Sequence, residues 1–162
     1  MENPNPEFIA FNFDDKSKFE NCKKVFNQIV ECKNEKGKKA KELWLKITPE
    51  YAVEYLKISE RNKSWKLINL YEFIIEDLDV RFIDFYTIKE GIGRLDFEAG
   101  GYPYGGPSSL ITFLRAFDCI ATETDEGADI YKINWNSKFE FIFEPIENKQ
   151  NGIIAFIKKL LK

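Results

Sequence analysis

The spacing of apolar residues changes character at Val80, and that change restricts the fold more than any single motif. Before it, apolar side chains recur mostly at helical intervals, with Phe19, Cys22, Phe26, Ile29 and Val30 in one segment and Leu67, Leu70, Tyr71, Ile74 and Leu78 in another. After it, β-branched and aromatic residues gather in short strand-like runs at residues 80–88, 94–97, 120–124 and 130–135. In a last run Phe139, Phe141 and Phe143 alternate with Glu140 and Glu144. Glu90-Gly91-Ile92-Gly93 and Asp125-Glu126-Gly127 read as turns between these runs, and long βαβ alternation is missing. The expected fold is α+β: a mainly antiparallel sheet with helices packed on one face. No repeat, linker or break in composition divides the chain. Residues 1–162 therefore read as one domain, with residues 1–6 a loose tail.

Finer placement follows from caps and alternation. Residues 8–13 put Ile9, Phe11 and Phe13 on one face, as a strand does. Asp14 or Asp15 suits the N-cap of a helix reaching about Cys32. Residues 43–47, Leu-Trp-Leu-Lys-Ile, read as a second strand. Thr48, Pro49 and Glu50 open a helix that fails near Ser59, and Ser64 caps the next. Pro145 should stop the last strand, and residues 152–162 should form a helix whose late lysines suit the macrodipole.

The chain has no histidine, which removes Ser-His-Asp and Cys-His catalysis and HExxH zinc chemistry. Its three cysteines show no CxxC spacing. Cys22 and Cys32 on one helix would be separated by roughly 15 Å, beyond disulfide reach, and Cys119 stands apart. All three read as reduced, core-type residues, with no metal site and no cofactor. The polar, acidic start is unlike a secretory signal, and no apolar run approaches the roughly 20 residues that cross a bilayer. These features point to the cytoplasm and to no membrane partner.

Charge is distributed unevenly. Residues 1–66 hold 14 Lys/Arg against 11 Asp/Glu, residues 67–147 hold 6 against 16, and residues 148–162 hold 4 against none. An acidic middle repels nucleic acid and attracts basic proteins. The lysine-rich residues 33–46 are diluted by Glu35 and Glu42 and lack interleaved aromatic platforms except Trp44, which fits a strand, so nucleic acid is not an expected partner.

Residues 98–110 concentrate glycine and proline ahead of an apolar-periodic segment. Gly106 can cap a helix starting at Pro107, leaving the Ser108 and Ser109 amides and hydroxyls open to an anion. No GxxxxGK[ST] or complete GxGxxG pattern supports a nucleotide there. Asp96 and Glu98, two apart on a strand, share a face. Two expectations follow. The first is a non-enzymatic intracellular binding protein with an acidic surface, its concrete form a bacterial immunity-type protein that neutralises a basic toxin or nuclease. Tyr102 and Tyr104 would be its aromatic anchors and Asp96, Glu98, Glu123, Asp125 and Glu126 its carboxylates. The second is a small-anion or ligand-binding domain, or a carboxylate-based enzyme, built on Gly105, Gly106, Ser108 and Ser109. The sequence leaves the oligomeric state open.

Overall fold

Strand β1 (Glu7–Asn12) occupies the middle of the sheet although it comes first in the chain. The computed structural model describes residues 5–37, 39–61, 65–101, 104–127 and 129–148. Most of the expected N-terminal tail, Ser64, Tyr102 and the expected C-terminal helix lie outside these residues. After β1 come α1 (Lys16–Glu35), α2 (Lys41–Ile47), α3 (Glu50–Arg61) and α4 (Leu67–Glu72), which runs into a π-helical turn, Phe73–Asp77. Then follow β2 (Val80–Lys89), β3 (Ile92–Ala99), α5 (Ser108–Ala116), β4 (Ile120–Asp125), β5 (Asp129–Trp135) and β6 (Phe141–Asn148). The six strands form one antiparallel sheet in the order β2-β3-β1-β4-β5-β6, and the fold is α+β. Among the described residues no helix is long and apolar enough to cross a membrane.

Helix α1 begins where the sequence signals it. Asp15 accepts from the Ser17 amide at 2.8 Å, the geometry of an N-cap. The helix outruns the expected end at Cys32 and stops at Lys36, whose φ of 52° is left-handed. Phe19, Cys22, Val25, Phe26, Ile29 and Cys32 recur on one face and are buried. Each large side chain among them contributes on the order of 1.5–3 kcal/mol by leaving water. They meet aromatics just after β1 and on β2: Phe19 stacks on Phe13 at 4.8 Å and on Phe85 at 5.4 Å, and Phe26 on Phe85 at 5.1 Å. Helix α5 closes the same layer through Phe113, 6.0 Å from Phe26. Phe11 reaches across to β3, where Gly93 is its paired residue, and its ring fills the space a Cβ would need.

Cys22, Cys32 and Cys119 are free and buried. Cys119, distant in sequence, is brought against Cys22. Burial pushes the Cys22 thiol up, and its hydrogen bond with Cys119 adds to that.

Three expectations need correction. Residues 43–47 are helical, within α2. Their alternation of Leu43, Leu45 and Ile47 suggested a buried strand face, yet those three side chains are exposed and Trp44 between them is buried. Trp44 packs edge-on against Tyr71 at 5.1 Å, and a single aromatic anchor on a run of helix-favouring Lys, Glu and Leu decides the segment. Pro145 sits inside β6 at the register shift opposite Tyr131 and does not stop the strand. β6 ends the strand order, where a residue lacking an N–H is tolerated. Helix α5 begins at Ser108, with Pro107 as its N-cap residue in place of Gly106.

The π-helical turn explains an otherwise costly lysine. Lys33 reaches from α1 and donates to the carbonyls of Ile74 at 3.1 Å, Ile75 at 3.3 Å and Leu78 at 2.6 Å. The Ile74 and Ile75 carbonyls belong to the end of a helix, where carbonyls lack partners along the chain, whereas the Leu78 carbonyl also accepts from the Val80 amide at 3.0 Å. Partial burial pulls the Lys33 ammonium below its usual pKa, and Asp79 and Asp77 offset part of that.

Candidate partner-binding face

Register decides which carboxylates meet. In β1, Phe8 lies opposite Asp96 of β3 on one side and opposite Asp125 of β4 on the other. Ala10 lies between Arg94 and Glu123 in the same way. Paired residues in an antiparallel sheet point to the same side, so Arg94, Asp96, Glu123 and Asp125 share a face with Phe8. Glu98 joins them two residues beyond Asp96. Asp84 and Tyr86 extend the row on β2, opposite Asp96 and Arg94, and Lys132 and Glu144 extend it on β5 and β6. Helices α1 and α5 pack on the opposite face, with Ile9, Phe11, Leu95 and Phe97.

The centre of this face is occupied by its own cation. Asp96, only 8% exposed, accepts from Arg94 Nε at 2.5 Å and from the Tyr86 hydroxyl at 3.1 Å. The Arg94 guanidinium lies 4.1 Å from the centre of the Phe8 ring, a cation–π contact. Arg94 thereby screens Asp96 from Asp84, which would otherwise face it unrelieved across the β2–β3 pair. At the β2 edge Arg81 binds Glu98 through Nη2 at 2.8 Å and Nε at 3.1 Å. Lys132 stands opposite Glu123. Among the side chains named on this face, carboxylates still outnumber cations.

The predicted residues separate into three groups. Asp96, Glu98 and Glu123 do gather on one face. Asp125 joins them by register but is 4% exposed, and its Oδ1 accepts from the Gly127 amide at 2.7 Å, fixing a turn whose glycine has a φ of 98°. It shapes the hairpin and offers a partner little surface. Glu126 is in that loop, where burial and nearby Asp129 raise its pKa above the ordinary value. Tyr104 is no surface anchor: it is 4% exposed, with its ring 6.1 Å from Phe97. Its carbonyl accepts from the Asp79 amide at 2.9 Å, drawing the segment down onto the core. Tyr102 is outside the described residues.

The glycines of the alternative site have a structural cause. Gly105 and Gly106 have φ values of 106° and 75°, which side-chain-bearing residues rarely adopt. The hydroxyls do not converge, because Ser108 is exposed while Ser109 is buried. Among the described residues no group of carboxylates and cysteines is arranged to hold a metal ion.

Sequence reasoning missed the Arg94–Phe8–Tyr86 arrangement. Part of it was visible: Arg94, Asp96 and Glu98 alternate, so both signs of charge had to share one face. The pairing with Phe8, across more than eighty residues of chain, had no local signal. Compared against known protein families, curated proteins and solved structures, the chain matches none of them.

Proposed function

We propose that this chain is a binding protein that docks a basic protein partner on the sheet face turned away from its described helices, in the manner of an immunity-type inhibitor covering a toxin's cationic cleft. One observation supports the reading: β1 sits between β3 and β4, so Asp96 and Glu98 on one side and Glu123 on the other share the face that carries Phe8 and Ala10. Such a field accelerates encounter with a cationic surface and disfavours nucleic acid. Glu123 and Glu144, away from the Arg94 centre, would meet the partner's Lys or Arg at the rim. Phe8 and Tyr86 supply aromatic area near the centre of the patch.

The experiment is affinity capture from the native organism with the wild-type chain and with a Glu123→Lys/Glu144→Lys variant. A basic protein recovered at near-equal stoichiometry by the wild type alone supports the reading. The association rate should then fall steeply with added salt. Equal capture by both forms, or a rate indifferent to salt, removes the sheet face from the account.

A further inference from the structure

A second surface carries the opposite charge. Helices α2, α3 and α4 enclose a groove of about 480 Å³, open to solvent. Its lining includes Lys41 and Leu45 from α2, Val53 and Lys57 from α3, and Lys66 and Ile68 at the start of α4. Lys41 and Leu45 are four apart on one helix, and so are Val53 and Lys57. Helices α2 and α3 therefore each turn apolar and cationic side chains together toward the groove. Leu45 is 41% exposed, a large apolar side chain left toward water where the groove opens. Lys57 also touches Glu54 at 3.1 Å, but that pair is solvent-exposed and holds its lysine only weakly.

We propose that this groove docks an acidic amphipathic helix supplied by another protein. The apolar face of the helix enters between α2 and α4, and its flanking carboxylates pair with Lys41 and Lys57. The occupant follows from charge. Residues 149–162 of this chain are apolar enough to fill a groove, but they hold four lysines and no acid, so the lysine rim repels them. A flat sheet face from a second copy does not enter a concavity. A bilayer needs its apolar contacts on a convex surface, whereas Leu45 and Val53 line a trough.

The test uses the intact protein and a fluorescent peptide of about four helical turns. The peptide carries Leu at helical spacing with Glu at the other positions, and a sister peptide carries Lys for Glu. The Glu peptide should bind saturably, and the Lys peptide about tenfold or more weaker. Lys41→Glu/Lys57→Glu, and separately Leu45→Asp, should each weaken the Glu peptide about tenfold. No saturable binding, equal binding of both peptides, or affinity unchanged in both variants overturns the proposal. So does binding to phosphatidylglycerol vesicles in place of the peptide, or a dimer that Lys41→Glu/Lys57→Glu dissolves. Should the variants fail to fold, amide shifts of the wild-type protein on peptide addition decide. Shifts at Lys41, Leu45, Val53 and Lys57 support the groove, and shifts confined to the sheet refute it.

Discussion

Replacing Gly93 with alanine should cost far more than one methyl group suggests. A Cβ at that position would lie 2.3 Å from both Cε2 and Cζ of Phe11. Carbon atoms in contact sit roughly 3.5 Å apart or more, so the ring must retreat by more than about 1 Å. It has nowhere to go. Phe11 has no exposure, and its ring is flanked by Phe85 at 5.5 Å, Phe19 at 6.1 Å and Phe13 at 6.4 Å. The other escape is for β3 to withdraw, which strains its pairing with β1. Overpacking of a tight core costs about 1–3 kcal/mol, and this site belongs near the top of that range. For a chain of this size the midpoint of thermal unfolding should drop by roughly 4–12 °C. Urea unfolding followed by circular dichroism measures the loss directly. Phe11→Leu should relieve part of it, giving a double-mutant coupling of about 1 kcal/mol or more. Gly37→Ala is the control, since nothing lies within 4 Å of a Cβ there. A Gly93→Ala protein within about 0.5 kcal/mol of wild type, or strict additivity with Phe11→Leu, would refute the reasoning.

Other expectations test single contacts. Lys33→Met takes the shared ammonium donor from the carbonyls of Ile74, Ile75 and Leu78, of which Leu78 keeps the Val80 amide, and should destabilise by about 1–3 kcal/mol in urea, with faster amide exchange through the π-helical turn; Lys36→Met should do neither. Asp96→Ala leaves Arg94 and Tyr86 without their shared acceptor and should cost about 2 kcal/mol in thermal unfolding; a change below about 0.5 kcal/mol would mean water replaces the carboxylate freely. Glu126 has a folded pKa above its ordinary value of 4.5, so between the two the native state holds more protons than the unfolded one. Stability from this group therefore falls as pH rises through that window, and Glu126→Gln should flatten the pH–stability curve there. An unchanged slope would remove the residue from the titration.

How much was legible in the sequence depended on whether the deciding contact was local. The strands after Val80 and the Asp15 cap were readable because alternation and a side-chain cap are written within a few residues. Helix α2 was misread because its alternating Leu43, Leu45 and Ile47 are the exposed residues, and one tryptophan seeking Tyr71 decides the segment. Tyr104 resembled a surface aromatic in a glycine-rich loop, and only the backbone bond to Asp79 draws it inward. The acidic residues were recognised as a class. Their convergence on one face depended on pairing β1 with strands from the other half of the chain, and no local pattern records that. Alternation places Arg94 on the face of Asp96 and Glu98, but its contact with Phe8 is set by the β1–β3 pairing and has no local signal.

The place of β1 also sets an order of assembly. It precedes the other strands in the chain, yet its neighbours begin only at Ile92 and Ile120. Among the described strands, it joins the β2–β3 block edge to edge with the β4–β5–β6 block. Closing such long loops carries an entropic cost that delays the event relative to local hairpins. Chains in which this seam stays open would leave the carboxylates of β3 and β4 apart, so a partner docking as proposed would bind only polypeptide that has completed its closure.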